Sequence, residues 1–130
     1  MSTNCLIGIK RQNESIDYIY CHFDGYPGGV GKILKKHYTD RRKINKLISM
    51  GDLSSLGKII GRKVDFDSFD TESDQCLFYH RDRGEPLEKH NSFTEGFFFQ
   101  ELEGVPYIYL FMDNVWNYAQ HSSKRFTYLK

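Results

Sequence analysis

Two rhythms of apolar positions run along this chain. Cys5-Leu-Ile-Gly-Ile9 and Ile16-Asp-Tyr-Ile-Tyr-Cys-His-Phe-Asp24 read as two strands joined by a hairpin loop over residues 12–15. In the second run a period of two places Ile19, Cys21 and Phe23 on a core face. It places Tyr18, Tyr20, His22 and Asp24 on the opposite, polar face. Gly25-Tyr-Pro-Gly-Gly-Val-Gly31 then breaks any regular element. From Val30 the spacing turns helical: Val30, Ile33, Leu34, His37 and Tyr38 form one stripe, with Lys32, Lys35 and Lys36 on the other face. Thr39 or Asp40 is placed to cap a second helix, with Ile44, Leu47 and Ile48 inward and Gly51 as its stop. Asp52 is expected to cap a short third helix that buries Leu53, Leu56 and Ile60 and ends at Gly61.

The second half is read with less regularity. Residues 62–75 are acidic, dotted with aromatics, and follow neither rhythm. Cys76-Leu-Phe-Tyr-His-Arg81 is expected to be a strand that ends in a turn over residues 82–86. Residues 92–103, with Phe97-Phe98-Phe99, fit a strand or a buried helix equally. Residues 105–112 and 115–120 pair as a hairpin about Asp113-Asn114, and residues 125–129 add a last short strand. The expected architecture is one α+β domain over residues 1–130. It is an antiparallel sheet of about five strands with two or three helices packed on one face.

Composition narrows the class. The 130 residues are 39% hydrophobic, 27% charged and 15% aromatic, as in an ordinary globule and unlike a disordered chain. No stretch approaches the ~18 apolar residues of a membrane span, and Met-Ser-Thr-Asn-Cys-Leu-Ile does not read as a secretory signal. The cysteines, Cys5, Cys21 and Cys76, are odd in number, lack Cys-x-x-Cys spacing and sit among strand formers. They are expected to be small buried hydrophobes of a protein in a reducing cytoplasm. A net charge of +1 works against a nucleic-acid binder. The charge is nevertheless uneven. Residues 32–46 carry seven basic side chains against Asp40, and residues 65–74 carry five acidic ones and no base. Both read most simply as solvated faces.

Three places concentrate unusual chemistry. On the polar strand face, His22 and Asp24 lie two residues apart beside Tyr20 and lead into Tyr26. That is minimal geometry for an acid/base couple, or for a divalent ion with His37 or His80 as third ligand. Two ligands alone do not make a metal centre, so no metal and no cofactor is expected. The turn carrying Gly28 and Gly29 and ending in Lys32 offers backbone N–H groups and a cation to an anion. It is not a Walker loop, which needs Gly where Tyr26 stands and Ser or Thr where Ile33 stands. The same glycines also suit a tight connection that requires positive φ. Finally, Tyr79-His-Arg-Asp-Arg-Gly-Glu85 presents Arg81 and Arg83, either to grip a phosphate or carboxylate or to be held by the acidic segment. Its His-Arg-Asp string lacks the partners of a kinase loop. Residues 70–81 fail as an EF-hand, with Gln75 and Arg81 where Gly and Glu are required.

The string Tyr20-Cys-His-Phe-Asp-Gly-Tyr-Pro27 resembles a family of small, largely uncharacterised proteins of tailed phages and prophages. The likeness continues through Leu47-Ile-Ser-Met-Gly-Asp-Leu-Ser-Ser-Leu-Gly57 and Tyr79-His-Arg-Asp-Arg-Gly-Glu85. The resemblance implies an accessory protein that counters host defence by binding. The target would be a protein effector, such as a CRISPR component, or a sequestered nucleotide signal. It assigns no catalytic residue. On this view Tyr20, His22, Asp24, Tyr26, Gly28, Gly29, Lys32, Arg81 and Arg83 form one polar recess, and a free sheet edge allows self-association. The alternative is a small enzyme acting on a nucleotide or phosphate ester through His22 and Asp24. Direct nucleic-acid binding through the 32–46 helices is the weakest reading.

Overall fold

The computed structural model describes residues 2–70 and 73–130. Its strands are β1 (Cys5–Lys10), β2 (Ile16–Cys21), β3 (Leu53–Ser55), β4 (Leu77–Phe78), β5 (His90–Ser92), β6 (Tyr107–Met112), β7 (Val115–Gln120) and β8 (Thr127–Tyr128). They form one sheet in the order β4-β3-β2-β1-β6-β7-β8, with β5 also paired to β2. Four short helices accompany it: α1 (Lys32–His37), α2 (Arg41–Ser49), α3 (Tyr79–Arg83) and α4 (Glu95–Phe99).

This overturns the expected five-stranded antiparallel sheet. Eight strands are present among the described residues, and the sheet is mixed. β1 runs parallel to β6, and β2 parallel to β3; the other pairs are antiparallel. The outer edge of β2 is shared, with β5 along Ile16, Asp17 and Tyr18 and β3 meeting it at Cys21.

Helices also lie on both faces rather than one, and β1 shows why. A strand covered on one side alternates, whereas Cys5, Leu6, Ile7 and Ile9 are all buried, as in a strand covered twice. On one face Cys5, Ile7 and Ile9 join Ile19, Cys21 and Trp116 beneath Val30, Leu34 and Tyr38 from the α1 segment and Ile44 and Leu47 of α2. On the other, Leu6, Ile16, Ile108 and Leu110 pack with Phe98 of α4 and Leu102 of the 3-10 turn after it. Gly8 admits that second layer, because a Cβ there would lie 3.2 Å from the Phe98 ring and 2.9 Å from Ile16.

The predicted first two helices form with their expected apolar stripes. Asp40 caps α2 by accepting the Arg42 backbone N–H at 2.9 Å. The third does not form. Residues 53–55 are the strand β3, with Leu53 opposite both Cys21 and Phe78. The strand expected over residues 76–81 stops at Phe78, and α3 replaces its second half and the start of the expected turn. The Asp113-Asn114 hairpin is as predicted, with φ of 54° and 62° at the two turn residues. The described part of residues 62–75 contains one 3-10 turn, Phe66–Ser68, and Thr71 and Glu72 of the acidic run lie outside the described residues. All three cysteines are free and buried, and burial raises Cys5 and Cys76 above the usual thiol range.

Candidate functional site

Strand β2 ends at Cys21, and the chain beyond it is drawn over β3, where the Phe23 N–H donates to the Ser54 carbonyl at 3.0 Å. Asp24 leaves the extended conformation altogether, with φ of +58°. The alternation expected through residue 24 therefore fails at its end. Phe23 is 44% exposed instead of buried, and His22 and Asp24 do not share a strand face. His22 Nδ1 shares a 2.8 Å hydrogen bond with Tyr20 Oη, and the His22 ring meets Phe23 edge-on at 4.6 Å. Burial raises the Tyr20 phenol above its usual range. No hydrogen bond joins His22 to Asp24 among the described residues, so the acid/base couple read from the sequence is not assembled.

The glycine-bearing turn forms a wide helical turn, Pro27–Gly31, ahead of α1. Two of its amides face inward: Gly29 N–H donates to the Tyr26 carbonyl at 2.9 Å and Val30 N–H to the Asp24 carbonyl at 2.8 Å. Neither amide is left for a phosphate. Gly28 and Tyr26 remain at the surface, and Lys32 faces solvent beside Lys35 and Lys36.

The two arginines part company. Arg81 is drawn inward: Nε donates to Asp82 Oδ1 at 2.9 Å, Nη1 to the Ile60 carbonyl at 3.0 Å and Nη2 to the Cys76 carbonyl at 3.0 Å, with Phe78 beneath it. It holds the fold and has no face for a ligand. Arg83 lies outside, ion-paired with Glu85 and stacked 4.5 Å over Phe66 and 4.9 Å over Tyr79.

Phe66, beneath Arg83, lines the same cleft as Asp24. This cleft, of about 440 Å³, opens between the end of β2 and the 62–75 segment, with Phe23, Phe66 and Phe69 as aromatic walls and Asp24 and Asp67 as carboxylates. Ser55 and Gln75 add polar groups, and among the described residues no lysine or arginine lines it. Of the nine residues expected to share one recess, only Asp24 is among the described residues that line this cleft. Arg83 lies outside it, stacked on the wall residue Phe66. Lys32 and Gly28 open onto a separate recess that shares no lining residue with this cleft, and Arg81 lines neither. The walls Phe66 and Phe69 were missed because the 62–75 segment carries no periodic signal.

A second missed feature is the pairing of Asp52 with His90. His90 Nε2 lies 3.1 and 3.2 Å from the two Asp52 oxygens, and Asp52 Oδ1 also accepts the Tyr20 backbone N–H at 2.9 Å. The His90 ring stacks on Tyr18 at 5.3 Å. Thirty-eight residues separate the pair, so no local spacing could announce it. It joins the β2 edge to β5, and Asp52→Ala is expected to lower stability by about 1–3 kcal/mol by leaving the Tyr20 amide unsatisfied. Urea titration followed by tryptophan fluorescence measures this, and a change below about 0.5 kcal/mol would mean the pair is only a surface contact.

No family model matches this chain, and no curated protein or solved structure is significantly similar to it. Among the described residues no group of three or more His, Cys, Asp or Glu is placed to hold a metal, and no helix is long and apolar enough to cross a membrane.

Proposed function

We propose that this protein acts by binding rather than by turnover, as an accessory protein that counters a host defence system. The cleft between Phe23 and Phe66 is its contact surface, and its partner is a protein effector. The cleft's lining carries this reading: among the described residues it has three phenylalanines and two carboxylates with no basic group. Such a lining suits a protruding basic or apolar side chain of another protein, with aromatic walls supplying desolvated anchor area. It suits phosphate poorly, and the Gly29 and Val30 amides and Arg81, which would help hold a nucleotide signal, are engaged within the fold. The setting comes from the likeness of residues 20–27 to small tailed-phage and prophage proteins.

The test is capture from host lysate with wild-type protein and with Phe23→Ala and Phe66→Ala, read by quantitative mass spectrometry. A partner retained by the wild type should fall by about ten-fold or more with either variant. Equal recovery with all three proteins would overturn the cleft as the contact surface. A 260 nm absorber released from the purified protein by heat would instead favour the nucleotide signal.

A further inference from the structure

Lys32, Lys35 and Lys36 stand three and four residues apart on the outer face of α1, which makes them neighbours on one helix surface. Together with Lys130 they rim an open recess of about 640 Å³ that also meets Pro27 and Gly28. All four are exposed, and none forms a salt bridge with a described carboxylate. Even an α-carboxylate on Lys130 leaves this rim positive. Other basic groups of the same stretch are engaged. Lys43 donates to the carbonyls of His37 and Lys58 and covers the Tyr38 ring at 4.2 Å, and Arg41 stacks over Phe111 at 5.4 Å. Beside the recess, the Tyr26 ring lies against Gly28, where an added Cβ would be 3.5 Å from Cε2, and Tyr26 is 44% exposed.

We infer that this recess binds single-stranded nucleic acid, with the α1 lysines on successive phosphates and Tyr26 stacked on a base. Closely spaced cations beside an exposed ring form the sequence-tolerant site that unpaired strands favour, because every base offers a π-face and every linkage a charge. A duplex would present no free base to Tyr26. A membrane surface would call for a broad apolar face beside the lysines, whereas the recess brings one aromatic ring. With a net charge of only +1 there is little long-range field to steer a strand in, so affinity rests on the local contacts. This site shares no lining residue with the aromatic cleft, and it stands or falls separately from the proposal made for that cleft.

The experiment is fluorescence anisotropy of a labelled oligothymidylate of about 12 nucleotides with the full chain, in salt from about 50 to about 200 mM. Three to four neutralised phosphates predict a log–log salt slope of about −2 to −3, which is a loss of roughly twenty- to sixty-fold across that range. Lys35→Gln with Lys36→Gln should make the slope shallower by about 1.4. Tyr26→Ala should weaken binding by about ten-fold at fixed salt and leave the slope unchanged. Lys46→Gln, exposed on α2 outside the recess, should change neither. The inference is overturned by undetectable binding at the lowest salt, by equal loss in Lys46→Gln, by full affinity in Tyr26→Ala, or by a duplex or polyglutamate competing as well as the single strand.

Discussion

Asp82→Ala is expected to destabilise the protein by about 3–5 kcal/mol, the cost of removing one partner from a buried ion pair. Asp82 is the only fully buried charged side chain among the described residues. One oxygen, Oδ1, accepts the Val64 backbone N–H at 3.0 Å, and the other, Oδ2, accepts that of Phe78 at 2.8 Å. Arg81 spans both oxygens, at 2.9 and 3.1 Å. Alanine would strand the guanidinium and two amides at once, at the junction of β4, α3 and the 62–75 segment. Calorimetry should show a fall in melting temperature on the order of 10–20 °C. Asp82→Asn keeps one acceptor oxygen and should lose clearly less. A loss below about 1 kcal/mol for the alanine variant would mean that Arg81 finds other partners.

The same carboxylate ties stability to acid. Burial alone would raise its pKa, but hydrogen bonds from Arg81, Phe78 and Val64 outweigh that and hold it below the usual carboxylate range. A depressed folded pKa contributes stability at and above the unfolded value of about 3.9, and that contribution disappears as pH falls through the folded value. Asp17 behaves alike: burial opposes its ionisation, and Arg11 and Asn91 more than compensate. Wild-type stability should therefore drop below about pH 4, and Asp82→Asn should flatten that drop.

Arg81 and Asp82 also show where the sequence is legible and where it is not. Strands and helices whose apolar rhythm is satisfied locally are read correctly: β1, β6, β7 and α2 all carry their pattern within one segment. The Asp113-Asn114 turn is legible because its chemistry is local too. β3 is misread because Leu53, Leu56 and Ile60 share helical spacing, while the partners that make residues 53–55 a strand, Cys21 and Phe78, lie 32 and 25 residues away. The start of α3 is misread for a related reason. Tyr79-His-Arg continues a strand-like run, but the Asp82 side chain takes the Phe78 amide and the chain turns there. Arg81 looked available to a ligand because nothing nearby in sequence reveals that its partners include the carbonyls of Ile60 and Cys76. Of the described residues lining the cleft, Asp24 alone was expected to bind; Phe23 beside it was expected in the core. The aromatic walls from residues 66 and 69, and the His90–Asp52 pair, depend on contacts that only the assembled sheet creates.

The glycine turn contributes Gly28 to the proposed lysine recess and follows directly on Asp24 of the proposed cleft. Positive φ suggested itself as the reason for the glycines, yet within residues 24–31 the left-handed residue is Asp24, and no glycine there shares that conformation. Gly29 is required for a different reason. A Cβ on it would lie 2.4 Å from the Asp24 carbonyl oxygen and 3.1 Å from the Asp24 Cβ. That carbonyl accepts the Val30 amide, so Gly29→Ala must push apart the segment that places Asp24 in the cleft and starts α1. Gly28 has room, since its nearest contact would be the movable Tyr26 ring at 3.5 Å. Gly29→Ala should therefore cost about 2–3 kcal/mol, the range of an overpacked site with no relief, while Gly28→Ala should stay within about 0.5 kcal/mol of wild type. Paired urea melts of the two variants read the difference directly. In Gly29→Ala, amide exchange should also rise at Val30, because its bond to Asp24 must lengthen or break. Equal stability of the two variants would show that the turn relaxes freely, and the close approach of Gly29 to Asp24 would then not be what sets the geometry between the cleft and the lysine recess.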